Sequence, residues 1–200
     1  MSSQPADDSP ARRLASILYR VGRDLDSNVQ AVAGPARGWL ARMRRSLTDH
    51  HYIPDVYDVL IDAGVKFESD AERDRPWLLT CGLFALNPAE PQGGEWRLTL
   101  GSALARLGDH PAAEARVRQL TASNYDQVAS RLPSVMKQLS SKGISISVRS
   151  LAEDLVALHT AKSGSTEEHR VHLTWARDYK RRSHQYGKTK PQSPEEGTDQ

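Results

Sequence analysis

A single cysteine, Cys81, leaves no partner thiol for an intramolecular disulfide and excludes a thiolate metal cluster within one chain. Such usage suits a reducing compartment. Aromatic residues make up only 6% of the 200 positions and hydrophobic residues 38%, lean for a β-rich protein and typical of a small-residue helical one. No apolar run approaches the roughly 18 residues that a bilayer span requires. The polar start "MSSQPADDSPARR" lacks the charged-then-apolar layout of a secretory signal, so the expected location is cytoplasmic. A glycine-rich phosphate loop is missing too, because "AGPARG" has neither the spacing nor the Lys-Ser/Thr ending. His169 and His172 stand three apart on a helical segment, but no further ligand follows at a diagnostic spacing, and no metal is expected. Cys81 falls within the most apolar stretch, where burial raises a thiol's pKa and leaves it inert as a nucleophile. Glu153 and Asp154 are neighbours that point to different sides of a helix, which makes no acid/base couple. No enzymatic activity and no cofactor are expected.

What is present is helical periodicity. Between a polar start and a tail from Ser183, capped amphipathic segments succeed one another, and an all-α fold of two small packed helical bundles is expected. Residues 1–34 are set apart as a partly disordered N-terminal extension that ends near Gly34-Pro35. Residues 35–108 form the first bundle, 109–182 the second, and 183–200 a disordered tail. "RPWLLTCGLFALNP" is the buried central helix of the first bundle. In the second, Asn124 and Gln127 have capping-box spacing, Pro133 predicts a kink or a fresh helix start, and Gly143 is the stop. "ISISV" (144 to 148), the one competing strand signal, is read as a linker, with Ser147 as the cap of the next helix. Asp109 is read as a further cap.

The net charge of +2 conceals segregation. Asp49 to Asp74 holds eight acidic residues against Lys66 and Arg73, with Arg75 just beyond, whereas Arg97 to Arg182 holds fourteen basic residues against eight acidic ones. Residues 36 to 47 carry four arginines and no acid. The basic residues recur on helices. Arg44 and Arg45 follow a core-facing stripe, Arg116 and Arg118 flank Val117, and Arg131, Lys137 and Lys142 lie along the next helix. In "LTWARDYKRR" and the residues just before it, Val171, Trp175 and Tyr179 stack at four-residue spacing, so Trp175 and Tyr179 are expected to anchor the helix. Arg170, Thr174, Arg177 and Arg181 fall on the opposite side. Cations on four helices without a catalytic group suit neutralisation of phosphates, and no helix-turn-helix, zinc-finger or basic-zipper pattern supports base reading. A small nuclease would need clustered carboxylates for a metal.

Six ordered segments carry a resemblance. "ARMRRSL" (41 to 47), "CGLFAL" (81 to 86), "LGSALARL" (100 to 107), "EARVRQL" (114 to 120), "LPSVMKQLSSKGISISVRSLAEDLVAL" (132 to 158) and "WARDYK" (175 to 180) together resemble the CasB family, the small subunit of the type I-E CRISPR complex called Cascade. The likeness covers roughly residues 36 to 182, and Lys180 stands where many relatives carry a second aromatic. The resemblance implies a non-catalytic subunit, present as two copies and lying against the guide-RNA assembly and the larger subunits. It would hold the displaced single-stranded DNA and so support the R-loop in antiviral defence. Arg170, Arg177 and Arg181 would face DNA or a neighbouring subunit. The alternative is a structural scaffold without DNA contact.

Overall fold

The computed structural model describes residues 9–67, 69–92, 98–108 and 110–188; the Asp109 cap and positions 189–200 of the tail lie outside these. The fold is all-α. Among the described residues there are nine α-helices, two short 3-10 turns and no strand. The helices are α1 (Pro10–Leu25), α2 (Gln30–Arg45), α3 (Ile53–Asp62), α4 (Arg75–Leu86), α5 (Leu100–Ala105), α6 (His110–Thr121), α7 (Tyr125–Ser141), α8 (Val148–Thr160) and α9 (Thr166–Lys188).

Local chemistry explains most of the boundaries. Ser9 accepts a hydrogen bond from the Arg12 amide and Pro10 opens α1 with the φ a first turn needs. The Asn124–Gln127 capping box closes in both directions at the start of α7. Ser147 caps α8 through the Ser150 amide, and Gly143 ends the α7 region at φ 64°, a value that favours glycine.

Two apolar cores result. Leu14 and Leu18 of α1, Leu40 and Met43 of α2, Val56 and Leu60 of α3 and Phe84 of α4 fill the first. Leu100 and Leu104 of α5, Leu120 of α6, Leu132 and Met136 of α7, Leu155 of α8 and Trp175 and Tyr179 of α9 fill the second. The central helix α4 serves both, sending Cys81, Phe84 and Ala85 into the first and Leu83 into the second. From the other side, Val148 of α8 reaches the first core.

Several expectations need revision. The segment set apart as an extension contains α1, whose Leu14 and Leu18 are fully buried. Tyr19 then ties α1 to the α7–α8 linker, accepting from the Val148 amide at 2.9 Å and donating to the Ile146 carbonyl at 3.4 Å. α5 packs on α9 and its residues join the second core, so a boundary at residue 108 cuts through one packed unit. Pro35 ends nothing: Ala33, Ala36, Leu40 and Met43 form one buried stripe that carries α2 through it. α7 likewise runs through Pro133, with Leu132, Val135 and Met136 buried around the lost amide donor. Residues 183–188, assigned to the tail, continue α9.

Candidate nucleic-acid interface

Trp175 and Tyr179 are buried at 1% and 2% exposure, and α9 therefore presents its Val171–Trp175–Tyr179 stripe to the second core. The indole N–H donates to Asp154 of α8 at 2.6 Å. Burial pushes the Asp154 carboxyl up to about 6, and the indole bond opposes part of that rise. Asp178 is also buried. One of its oxygens accepts from the Thr99 hydroxyl at 3.0 Å, and that hydroxyl in turn accepts from the Ser102 amide at the start of α5. Its other oxygen accepts from Arg177 Nε at 3.3 Å and lies 3.9 Å from Arg181. The two guanidiniums are thereby held above the α5–α9 junction while remaining largely exposed.

α6 lies between α9 and α7, and polar contacts tie the three together. Glu114 accepts from Lys180 of α9 at 2.9 Å and from Arg118 at 2.8 Å, and these two cations hold its carboxyl below the usual range. On the other flank of α6, the Arg116 guanidinium donates to the Gln138 side chain of α7. Arg131 donates to the Ser123 hydroxyl at 2.8 Å in the α6–α7 connection. Lys137 is exposed on α7 and Lys142 is exposed at its C-cap. Arg116 and Arg118 thus link α6 to α7 and, through Glu114 and Lys180, to α9, Arg131 is tied to the α6–α7 connection, and Lys137 and Lys142 are exposed on α7.

The remaining predicted residues lie elsewhere. Arg44 and Arg45 are carried by α2, on the first core. Arg44 donates through Nε to the Ala85 carbonyl at 2.9 Å, satisfying a carbonyl in the last turn of α4. Arg45 donates to the Tyr52 hydroxyl at 2.9 Å with its guanidinium 5.3 Å from the ring centre. Arg170 is gripped by Glu167 one turn earlier on α9, at 2.6 and 3.2 Å. Sequence reasoning missed Lys180 as a member of the basic face and Asp178 and Glu114 as the carboxylates that place cations. The Glu114–Arg118 and Asp178–Arg181 pairs had a readable signal, their four- and three-residue spacings.

Among the described residues no group of three or more His, Cys, Asp or Glu could hold a metal ion, and no helix is long and apolar enough to cross a membrane. Cys81 is fully buried and its thiol is pushed up to about 12.

No curated protein matches the sequence. Solved structures do. A chain titled "CRISPR RNA-guided surveillance complex" is similar over 90% of this chain and 96% of its own, at a TM-score of 0.62 and 19% identity. CasB from Thermobifida fusca matches over 84% and 97% with a TM-score of 0.59 and 19% identity. CasB from M. ruber matches over 88% and 97% with a TM-score of 0.61 and 23% identity. At these identities the likeness is one of fold. Its 90% coverage exceeds what residues 35–182 alone could provide, so it takes in part of the flanking segments that the sequence left without a counterpart. The model for "CRISPR-associated protein Cse2" matches residues 39–179. Matched over more than half its length by that model, the chain belongs to the CasB family, that of CRISPR-associated protein Cse2.

Proposed function

We propose that this chain is the non-catalytic small subunit of a type I-E Cascade complex in the cytoplasm, and that it holds the displaced non-target DNA strand through the α6/α7/α9 face. Arg116, Arg118, Arg131, Lys137 and Lys142 supply the phosphate contacts there, with Arg170, Arg177 and Arg181 on the outer side of α9 as a further row. Its partners are the other Cascade subunits with the guide RNA, the displaced single strand and a second copy of itself. The observation that carries this reading is that α6, α7 and α9, three helices of the same core, are linked to one another through cationic side chains, Arg116 to α7 and Lys180 to Glu114 of α6. Sequence specificity would rest with guide pairing, and backbone contacts to the opened strand would tip a nearly balanced R-loop equilibrium toward the open state.

The purely structural scaffold has one observation in its favour. Arg118, Arg170, Arg177 and Arg181 already face carboxylates of their own chain. The Arg118–Glu114 and Arg170–Glu167 pairs lie largely in solvent, worth about 0–1 kcal/mol each, and a phosphate can replace the carboxylate there at little cost. Arg177 and Arg181, by contrast, face the buried Asp178 with their guanidiniums exposed and have to keep that contact while meeting a phosphate. Arg44 at the α2–α4 joint and Arg45 against Tyr52 are a separate candidate contact on the first core, for the strand or for a neighbouring subunit.

Complexes assembled with Arg116→Ala/Arg118→Ala protein test the reading. Retention of the subunit with a less stable R-loop on relaxed DNA is expected. Loss of the subunit from the complex, with unchanged DNA affinity of the free protein, would establish the scaffold instead.

A further inference from the structure

A cavity of about 590 Å³ opens between α1 and the start of α8. Three guanidiniums line it, Arg12 and Arg23 from α1 and Arg149 from α8, and Glu90 is its one carboxylate. Arg23 holds Glu90 at 2.5 Å, and Arg149 gives its Nε to Glu153 at 2.8 Å. Tyr19 and Ser147 complete the wall. Burial pushes the Tyr19 phenol up to about 12, so it adds no negative charge there. The positive end of the thirteen-residue α8 helix lies at the same place.

A second cavity of about 370 Å³ shares Arg23 and Glu90 with the first. It continues past Asp26 to Arg106 and Gly143, the residue after Lys142. Four arginines from three separate chain segments therefore line one path, against Glu90 and Asp26. That path ends where the α7 side of the basic face ends.

We propose that this path is a second phosphate track, in which Arg12, Arg149, Arg23 and Arg106 hold backbone phosphates of the single-stranded DNA that leaves the α6/α7 face at Lys142. The proposal rests on the strand-holding function above and adds a stretch of strand contact between α1 and α8. Glu90 acts as the place-holder: it neutralises Arg23 when no strand is bound and is displaced by a phosphate.

Binding of fluorescently labelled oligothymidine to the full-length protein, measured against salt, tests it. Each phosphate contact removed lowers the single-strand salt slope by about 0.7. Arg12→Ala/Arg149→Ala should weaken binding several-fold and lower the slope by about 1.4, while Arg149→Lys keeps the slope. Glu90→Gln removes the competing carboxylate and should tighten binding several-fold, a gain that a merely structural role does not produce. That variant also decides the matter if the double alanine protein fails to fold. Unchanged affinity in the Glu90→Gln and Arg12→Ala/Arg149→Ala proteins, with weaker binding in Arg116→Ala/Arg118→Ala, overturns the track and leaves the α6/α7 function standing. Unchanged affinity in all of them removes both. Saturable binding of thymidine monophosphate, lost in Arg12→Ala/Arg149→Ala while oligothymidine affinity stays the same, overturns the strand assignment in favour of a mononucleotide site.

Discussion

Asp154 concentrates the electrostatic strain of the second core. Its carboxylate is desolvated against α9 and titrates near 6, well above the ordinary aspartate value, because the indole bond offsets only part of the burial. The folded state therefore keeps the proton between pH 4 and 6 while the unfolded chain releases it, so this group lowers stability as pH rises through that window. Above pH 6 the loss is complete, on the order of 2–3 kcal/mol. Asp154→Asn keeps an oxygen acceptor for the Trp175 N–H and removes the charge. It should raise the melting temperature at pH 7.5 by several degrees and flatten the profile between pH 4 and 6. A lower melting temperature at pH 7.5 would show that the charged hydrogen bond outweighs desolvation. From the sequence, Trp175 and Tyr179 were legible as anchors through their spacing. The partner of the indole was not, because Asp154 lies 21 positions away on another helix.

Helix contacts turn on two small features. α5 approaches α9 so closely at Gly101 that a Cβ there would sit 2.0 Å from the Trp175 carbonyl oxygen, a backbone atom that cannot rotate away. Helix propensity alone favours alanine over glycine by about 1 kcal/mol. The clash should reverse the sign, and Gly101→Ala is expected to destabilise by about 1–3 kcal/mol in denaturant unfolding. A stabilised variant would mean the two helices stand farther apart. α1 gives the second prediction. Leu18 is fully buried, and Leu18→Ala should cost about 2–5 kcal/mol. Leu173→Ala, on a side chain 68% exposed, should stay within about 0.5 kcal/mol. Equal effects would detach α1 from the core. Caps carried most of what could be read of the elements: Asn124–Gln127, Ser147 and Gly143 act through neighbours in sequence. Pro35 misled because the burial that carries α2 through it is tertiary, and of the two outcomes open at Pro133 the same kind of burial excludes the fresh helix start. α1 was legible as a weak pattern at Leu14 and Leu18, yet its place in the first core depends on α2 to α4.

Across the whole molecule, α4 and α8 serve two cores at once, which is why a linear cut at residue 108 does not follow the packing. The same topology sorts the cations. Ten basic residues were read from helical faces; eight of them are exposed, and Arg116 and Arg131 are half-buried. Which of them share a surface depends on Glu114 bridging α6 to α9 and on Arg116 reaching α7, contacts that no spacing in the sequence encodes. The most direct measurement of the central claim is the salt dependence of single-stranded DNA binding by the isolated protein, wild type against Arg116→Ala/Arg118→Ala. Loss of two phosphate contacts predicts a slope of log K against log salt shallower by about 1.4, alike for unrelated DNA sequences. The same slope and the same affinity in both proteins would contradict strand holding by the α6/α7/α9 face.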